Sequence, residues 1–218
     1  VNKKYKGLVT KKFNEFYLVE LDKDETSVVD KKFLCKIKKS VNFRNQFVFV
    51  GDEVIVYQID LQSKRATIES LVKRNNLLER PSVANISNIY VICSVEEPKL
   101  NLSQVNKFLI SSEQLGVEVS LVLTKCDLIT EEKRLLLIEK FKQWGYQAIT
   151  LNLNNHENLR TLLIELKKKK CSIFMGPSGV GKTTLLNMII PGLDNKTAPV
   201  SSKIKRGKNT TRNVELFS

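Results

Sequence analysis

The run Gly176-Pro177-Ser178-Gly179-Val180-Gly181-Lys182-Thr183 fits the spacing G-x-x-x-x-G-K-[ST] in full. Residue types in this order do one kind of chemistry, the holding of phosphate. Glycines let the backbone curl until successive N–H groups converge on phosphate oxygens, and the N-terminus of a following helix adds its positive dipole end. Lys182 supplies a point charge for the β- and γ-phosphates, Thr183 a hydroxyl ligand for Mg²⁺, and Thr184 carries the chain into the helix. The apolar run Ser172-Ile173-Phe174-Met175 before the glycines and Thr184-Leu185-Leu186-Asn187-Met188 after them give the strand and helix that a chance glycine loop lacks. No side chain reads as a general base, so Lys182 is expected to contribute by positioning and charge.

The phosphate loop does not select a base. Thr124-Lys125-Cys126-Asp127 closes the apolar run Val119 to Leu123, where ligands of open α/β sheets bind, and it resembles the N-K-x-D element of GTPases. An ionised Asp127 can accept two hydrogen bonds from the Watson–Crick edge of guanine, whereas adenine presents an acceptor there. The stem of Lys125 can lie along a purine face. Thr124 stands where Asn is usual, an exchange of an amide for one hydroxyl, worth about 1 kcal/mol of hydrogen bonding. The base element precedes the phosphate loop in the chain, the reverse of ordinary GTPases, so the domain reads as circularly permuted. Asn152 and Leu153 then fall at the place of a second guanine-contacting loop, without the expected Ser-Ala.

The elements that must position these residues follow a strand-then-helix rhythm: Ile89–Val95, Leu102–Leu115, Val117–Thr124, Glu131–Trp144, Tyr146–Leu151, Leu159–Leu166, Ser172–Met175 and Lys182–Ile190. Such alternation implies a mostly parallel, doubly wound sheet. Gly116, Gly145 and Pro191-Gly192 mark helix ends, and Phe141 and Trp144 read as core with Leu137 and Ile138. From Lys6 to Leu71 the pattern changes to short β-rich runs divided by charged turns, with Gly51-Asp52 as a turn or bulge before a strand. An oligonucleotide-binding (OB) barrel is expected there, against a barrel of another type with a merely solvated basic surface. The polar stretch 73–82 ending near Pro81 reads as the connection, giving an all-β barrel over 1–72, a linker over 73–82 and an α/β P-loop domain over 83–218.

Composition narrows the class. With 42% hydrophobic and 27% charged residues in 218, the chain folds into compact units. Lys and Arg exceed Asp and Glu by 36 to 23, a net charge of +13, which points to polyanionic partners. No apolar run approaches the roughly 20 residues of a membrane span, and the N-terminus lacks the pattern of a signal peptide. Cys35, Cys93, Cys126 and Cys171 are scattered, with no C-x-x-C pair, which argues against disulfides and a cysteine zinc site and for a reducing cytoplasm. The lysine run 167–170 reads as a solvated helix end or an RNA contact, and His156 as a cap or surface residue. Phe13, Phe16, Tyr17 and Phe43 are the barrel aromatics set near turns, of which at least two are expected in the core.

Taken together, Leu78-Glu79-Arg80-Pro81-Ser82-Val83-Ala84-Asn85, the T-K-C-D and G-P-S-G-V-G-K-T-T elements, and Gly207-Lys208-Asn209-Thr210-Thr211-Arg212 resemble the ribosome small-subunit-dependent GTPase A family. The resemblance runs through essentially the whole chain. It implies an OB barrel, a permuted GTPase domain and a C-terminal zinc domain. It also implies a cytoplasmic enzyme that binds GTP and Mg²⁺, hydrolyses GTP under stimulation by the small ribosomal subunit, contacts 16S rRNA and acts in late maturation of that subunit. A monomer without a membrane partner is expected. Lys196 to Arg212, with six basic residues and no acidic one, corresponds to the first switch, or to a basic linker touching RNA phosphate. Thr211, ahead of Thr210, is the candidate Mg²⁺ ligand and catalytic contributor. The D-x-P-G element and any zinc ion are expected beyond Ser218, which makes the chain a C-terminally incomplete member on this reading. Two functions stay open: a GTP hydrolase, or a nucleotide-binding RNA-recognition fragment without useful turnover.

Overall fold

The computed structural model describes residues 3–22, 31–38, 47–153, 158–190, 193 and 216. Thr210, Thr211, Phe43, His156, the Pro191-Gly192 stop and the basic segment 196–212 lie outside the described residues. Two units divide the chain, the first running to Ile86 and including Leu216, the second starting at Ser87.

Period-2 patterning builds the first unit. Strands β1 (Tyr5–Phe13), β2 (Phe16–Leu21), β3 (Lys32–Ile37), β4 (Glu53–Asp60) and β5 (Arg65–Leu71) close a barrel in the order β1-β2-β3-β5-β4. The β3–β5 pairing is parallel, and β1 meets β4 to shut the ring. This order is that of the expected OB-type barrel. Along β2 the side chains of Tyr17, Val19 and Leu21 turn inward, joining Val9, Phe33, Cys35, Val54, Val56 and Ile68 in one core. Alternate residues face water, as half-buried strands require.

Residues 73–82, expected as a connection, instead carry β6 (Leu77–Glu79) and the start of β7 (Ser82–Ala84), a hairpin held against the barrel. Of its polar side chains, which suggest a linker, Arg74, Asn76 and Ser82 are committed to hydrogen bonds. Asn85 accepts from the Asn75 N–H at 2.9 Å and donates to the Gly51 carbonyl at 2.9 Å, while the Ala84 N–H donates to the Val50 carbonyl at 2.8 Å. Gly51 permits this approach, because a Cβ there would sit 2.2 Å from the Ala84 oxygen and its φ is +88°. Beneath the turn, Asp52 is fully buried and is gripped by Arg74, with Nε to Oδ1 at 2.5 Å and Nη2 to Oδ2 at 2.6 Å, and by the Phe49 N–H at 2.7 Å.

The second unit has the parallel sheet that the alternation implies. Strands β8 (Asn88–Ser94), β9 (Glu118–Thr124), β10 (Ala148–Thr150) and β11 (Ser172–Met175) lie in the order β10-β9-β8-β11. Helices α1 (Leu102–Glu113), α2 (Glu131–Gln143), α3 (Leu159–Lys167) and α4 (Lys182–Ile189) join or follow them. Every residue of β8 is buried, the pattern of a central strand covered on both faces. Chain order runs outward from β8 to β9 and β10 and then returns to its other side at β11, so the crevice beyond the carboxyl ends of β8 and β11 is a topological switch point, where such folds bind ligands. Gly116 and Gly145 follow α1 and α2 with φ of +65° and +89°, the left-handed conformation that ends helices. One core expectation changes: Phe141 is fully buried, but Trp144 only stacks its edge on Phe141 and keeps 37% of its surface exposed.

Candidate functional site

The phosphate-loop sequence leaves β11 and enters α4, as the spacing required. Gly176 has φ of +150°, and a Cβ there would lie 2.1 Å from the Ile92 carbonyl oxygen, so the loop can start only where backbone passes over backbone. Ser178 is exposed at the tip, Pro177, Gly179, Gly181, Thr183 and Thr184 are half-buried, and Val180 is buried as the loop's anchor in the core with Tyr90, Ile92 and Leu185. Gly181 caps α4 in the left-handed conformation with no side-chain bond, which leaves the first N–H groups of the helix to whatever lies before them. Lys182 folds back over the loop and donates to the carbonyls of Gly176, at 2.9 Å, and Pro177. Burial depresses the pKa of this ammonium, an effect partly countered by Cys93. Cys93 itself is pushed up to about 12 by burial, against the opposing pull of Lys182, so it stays a neutral thiol beneath the loop.

The base element sits at the end of β9. Thr124 is fully buried, and its hydroxyl donates to the Val180 carbonyl at 2.7 Å, with the Cys93 carbonyl farther off at 3.3 Å. One hydroxyl has one proton, so the shorter contact is the donor bond. Thr124 therefore ties the base strand directly to the phosphate loop. Lys125, half-buried in the left-handed conformation, starts a short 3-10 turn over Cys126–Leu128. Cys126 is buried and Asp127 exposed on that turn. The side chain of Leu153 comes within 3.0 Å of where a Cβ on Gly181 would be, and the Leu151 N–H bonds the Leu123 carbonyl at 2.7 Å. The structure thus gathers 124–127, 151–153 and 176–184 at one end of the sheet.

Sequence reasoning missed one participant. The loop 95–100 after β8 reaches this end too: the Lys125 ammonium donates to the Glu97 carbonyl. A carbonyl contact of this kind has no sequence signature.

Comparison with known proteins decides the family. The RsgA GTPase family model matches residues 70–218. The chain belongs to the RsgA GTPase family. A relative in Prochlorococcus marinus (strain NATL2A), the small ribosomal subunit biogenesis GTPase RsgA, is 39% identical over 224 residues, covering 99% of this chain and 71% of its own length. The protein of the same name from Parasynechococcus marenigrum is 36% identical over 211 residues, covering 97% of this chain and 70% of its own. Among solved structures, YjeQ from Thermotoga maritima superposes with a TM-score of 0.76 at 28% identity, over 90% of this chain and 68% of that one. YloQ, a circularly permuted GTPase, superposes at 0.72 and 22% identity over 85% and 63%, a likeness of fold. As an RsgA-family GTPase, the chain acts on guanine nucleotide, and the permuted order read from its motifs is that of the family fold.

The Thr124 bond makes a stability prediction. Thr124→Val keeps volume but leaves the buried Val180 carbonyl without its donor, which should cost about 1–3 kcal/mol in urea unfolding of the second unit. Thr124→Ser, which keeps the hydroxyl, should lose less.

Proposed function

We propose that the chain binds GTP and GDP between the 124–127 turn and the 176–184 loop, hydrolyses GTP, and serves late maturation of the small ribosomal subunit as a cytoplasmic monomer that contacts 16S rRNA. The observation that carries the nucleotide site is the Thr124–Val180 hydrogen bond, which joins the base element to the phosphate loop. Lys182 exchanges its loop carbonyls for phosphate oxygens, and the uncapped N-terminus of α4 faces the same charge. Asp127 accepts from the guanine edge. Thr183 lies in the first turn of α4, behind an N-cap with no side-chain bond, and its hydroxyl would hold Mg²⁺ together with nucleotide oxygens, with Thr211 assigned from sequence as the second protein ligand. Such an ion would neutralise charge building on the transferred phosphoryl group.

The names of the relatives and the net charge of +13 support the ribosomal reading. On the barrel, Lys ammonium groups lie over rings at Lys36–Phe16 (4.6 Å), Lys11–Phe13 (5.2 Å), Lys38–Tyr57 (5.3 Å) and Lys12–Tyr17 (5.6 Å). Tyr17 is core, but Phe13 is 44% exposed and Phe47, which the sequence did not single out, is 71% exposed. Charge dominates over stacking, so phosphate contacts should carry the affinity. Affinity for small subunits should fall about a thousandfold between about 50 and 200 mM salt if six phosphates are contacted, with a shallower slope once Lys203, Lys205, Arg206 and Lys208 are neutralised. A flat dependence rejects the rRNA footprint. In the same mixtures, single-turnover phosphate release from GTP should rise on adding subunits; binding without release would leave a recognition module that lacks turnover.

A further inference from the structure

The loop between β8 and α1 belongs to neither nucleotide motif, yet it is fixed at both ends, bonds the 124–127 segment and lines a cavity with the 176–184 loop. The Ser94 hydroxyl, almost fully buried, donates to the Pro98 carbonyl at 2.6 Å, and the Leu100 N–H donates to the Val95 carbonyl at 3.2 Å, so the loop closes on itself. Its base is bonded to the base strand by the Val95 N–H and the Thr124 carbonyl at 3.1 Å. Pro98 and Leu100 share a small cavity with Pro177 and Val180 of the phosphate loop. At its crest the Glu97 carbonyl accepts the Lys125 ammonium, and beside it Glu96 pairs with Lys133 in the first turn of α2 at 3.0 Å.

We propose that this loop is a positioning clamp for the guanine site: through the Glu97 carbonyl it holds the Lys125 side chain, and the Glu96–Lys133 ion pair holds the loop. The inference rests on the guanine-nucleotide reading above. Its physical basis is the entropy of a long side chain. A lysine stem lying along a purine must give up much of its rotamer freedom, and a fixed acceptor for the ammonium removes that freedom before the ligand arrives. Loosening the loop then shortens nucleotide residence without touching any group that contacts nucleotide. Neither Glu96 nor Lys133 carries a motif signature, so both are positioning residues.

The ion pair is partly solvated, with side-chain exposures of 28% for Glu96 and 51% for Lys133, so deletion alone should act weakly and charge reversal is the sharper probe. Release of N-methylanthraniloyl-GDP from the full chain in Mg²⁺ buffer, chased with excess GDP, reads the effect. Lys133→Glu should raise the off-rate about threefold or more, Lys133→Arg should match wild type, and the double exchange Glu96→Lys with Lys133→Glu should return the rate to within about twofold of wild type. The nucleotide-free unfolding midpoint should not move, which separates positioning from a general loss of fold. An unchanged off-rate in Lys133→Glu, or a double exchange that fails to restore it, overturns the clamp while leaving the site intact. A wild-type chain that does not bind the probe overturns the nucleotide reading and the clamp with it.

Discussion

Lys182→Ala should weaken GDP and GTP binding by about 100-fold or more, close to 3 kcal/mol, because it removes a charge-assisted contact that no neighbour replaces. The ammonium already lies against the Gly176 and Pro177 carbonyls, and burial there makes its charge costly unless an anion takes over. Bringing up phosphate relieves that cost, so the lysine favours the bound state from both sides. Titration of labelled GDP by fluorescence anisotropy measures the loss. Lys182→Arg should not rescue it, since a planar fork cannot enter a space shaped around a point charge. Stability should change little, because the alanine variant leaves two loop carbonyls able to meet water.

Asp52→Ala should destabilise the barrel by about 3–5 kcal/mol, the cost of leaving a mostly buried charge without its partner. Arg74 would keep its guanidinium, 19% exposed as a side chain, over the Phe49 ring with no carboxylate to meet, and the Phe49 N–H would lose its acceptor. Since domains of this size are stable by only about 5–15 kcal/mol, the urea midpoint of the barrel should fall by a large fraction. Replacing both partners together should cost less than the two single changes added, because neither variant group is then stranded. If Asp52→Ala unfolds at the wild-type urea concentration, the joint between barrel and hairpin is not held by this pair.

What could be read from the sequence was whatever backbone geometry dictates at fixed spacing. The glycines of 176–181, the α/β alternation and the glycine helix stops follow local rules, so the strand–loop–helix over 172–189, the parallel sheet and the barrel are legible. Long-range polar pairings were not. Asn75 and Asn76 look like linker residues until their partners, Asn85 and Ile86, are seen, which is why 73–82 reads from the sequence as a connection. Thr124 looked like a weaker base contact because its acceptor, the Val180 carbonyl, lies 56 residues away. The position of Trp144 followed helical spacing, but it falls just past the end of α2, where an apolar side chain can cover Phe141 from outside rather than enter the core.

Nucleotide choice tests the account most directly, since the 124–127 turn and the 176–184 loop must act on one ligand. With N-methylanthraniloyl-GDP bound to the full chain, unlabelled GDP should displace it at equal concentration, while ADP should fail at about a hundredfold excess because Asp127 would face an acceptor. Displacement by ADP and GDP alike would contradict the assignment of the base site.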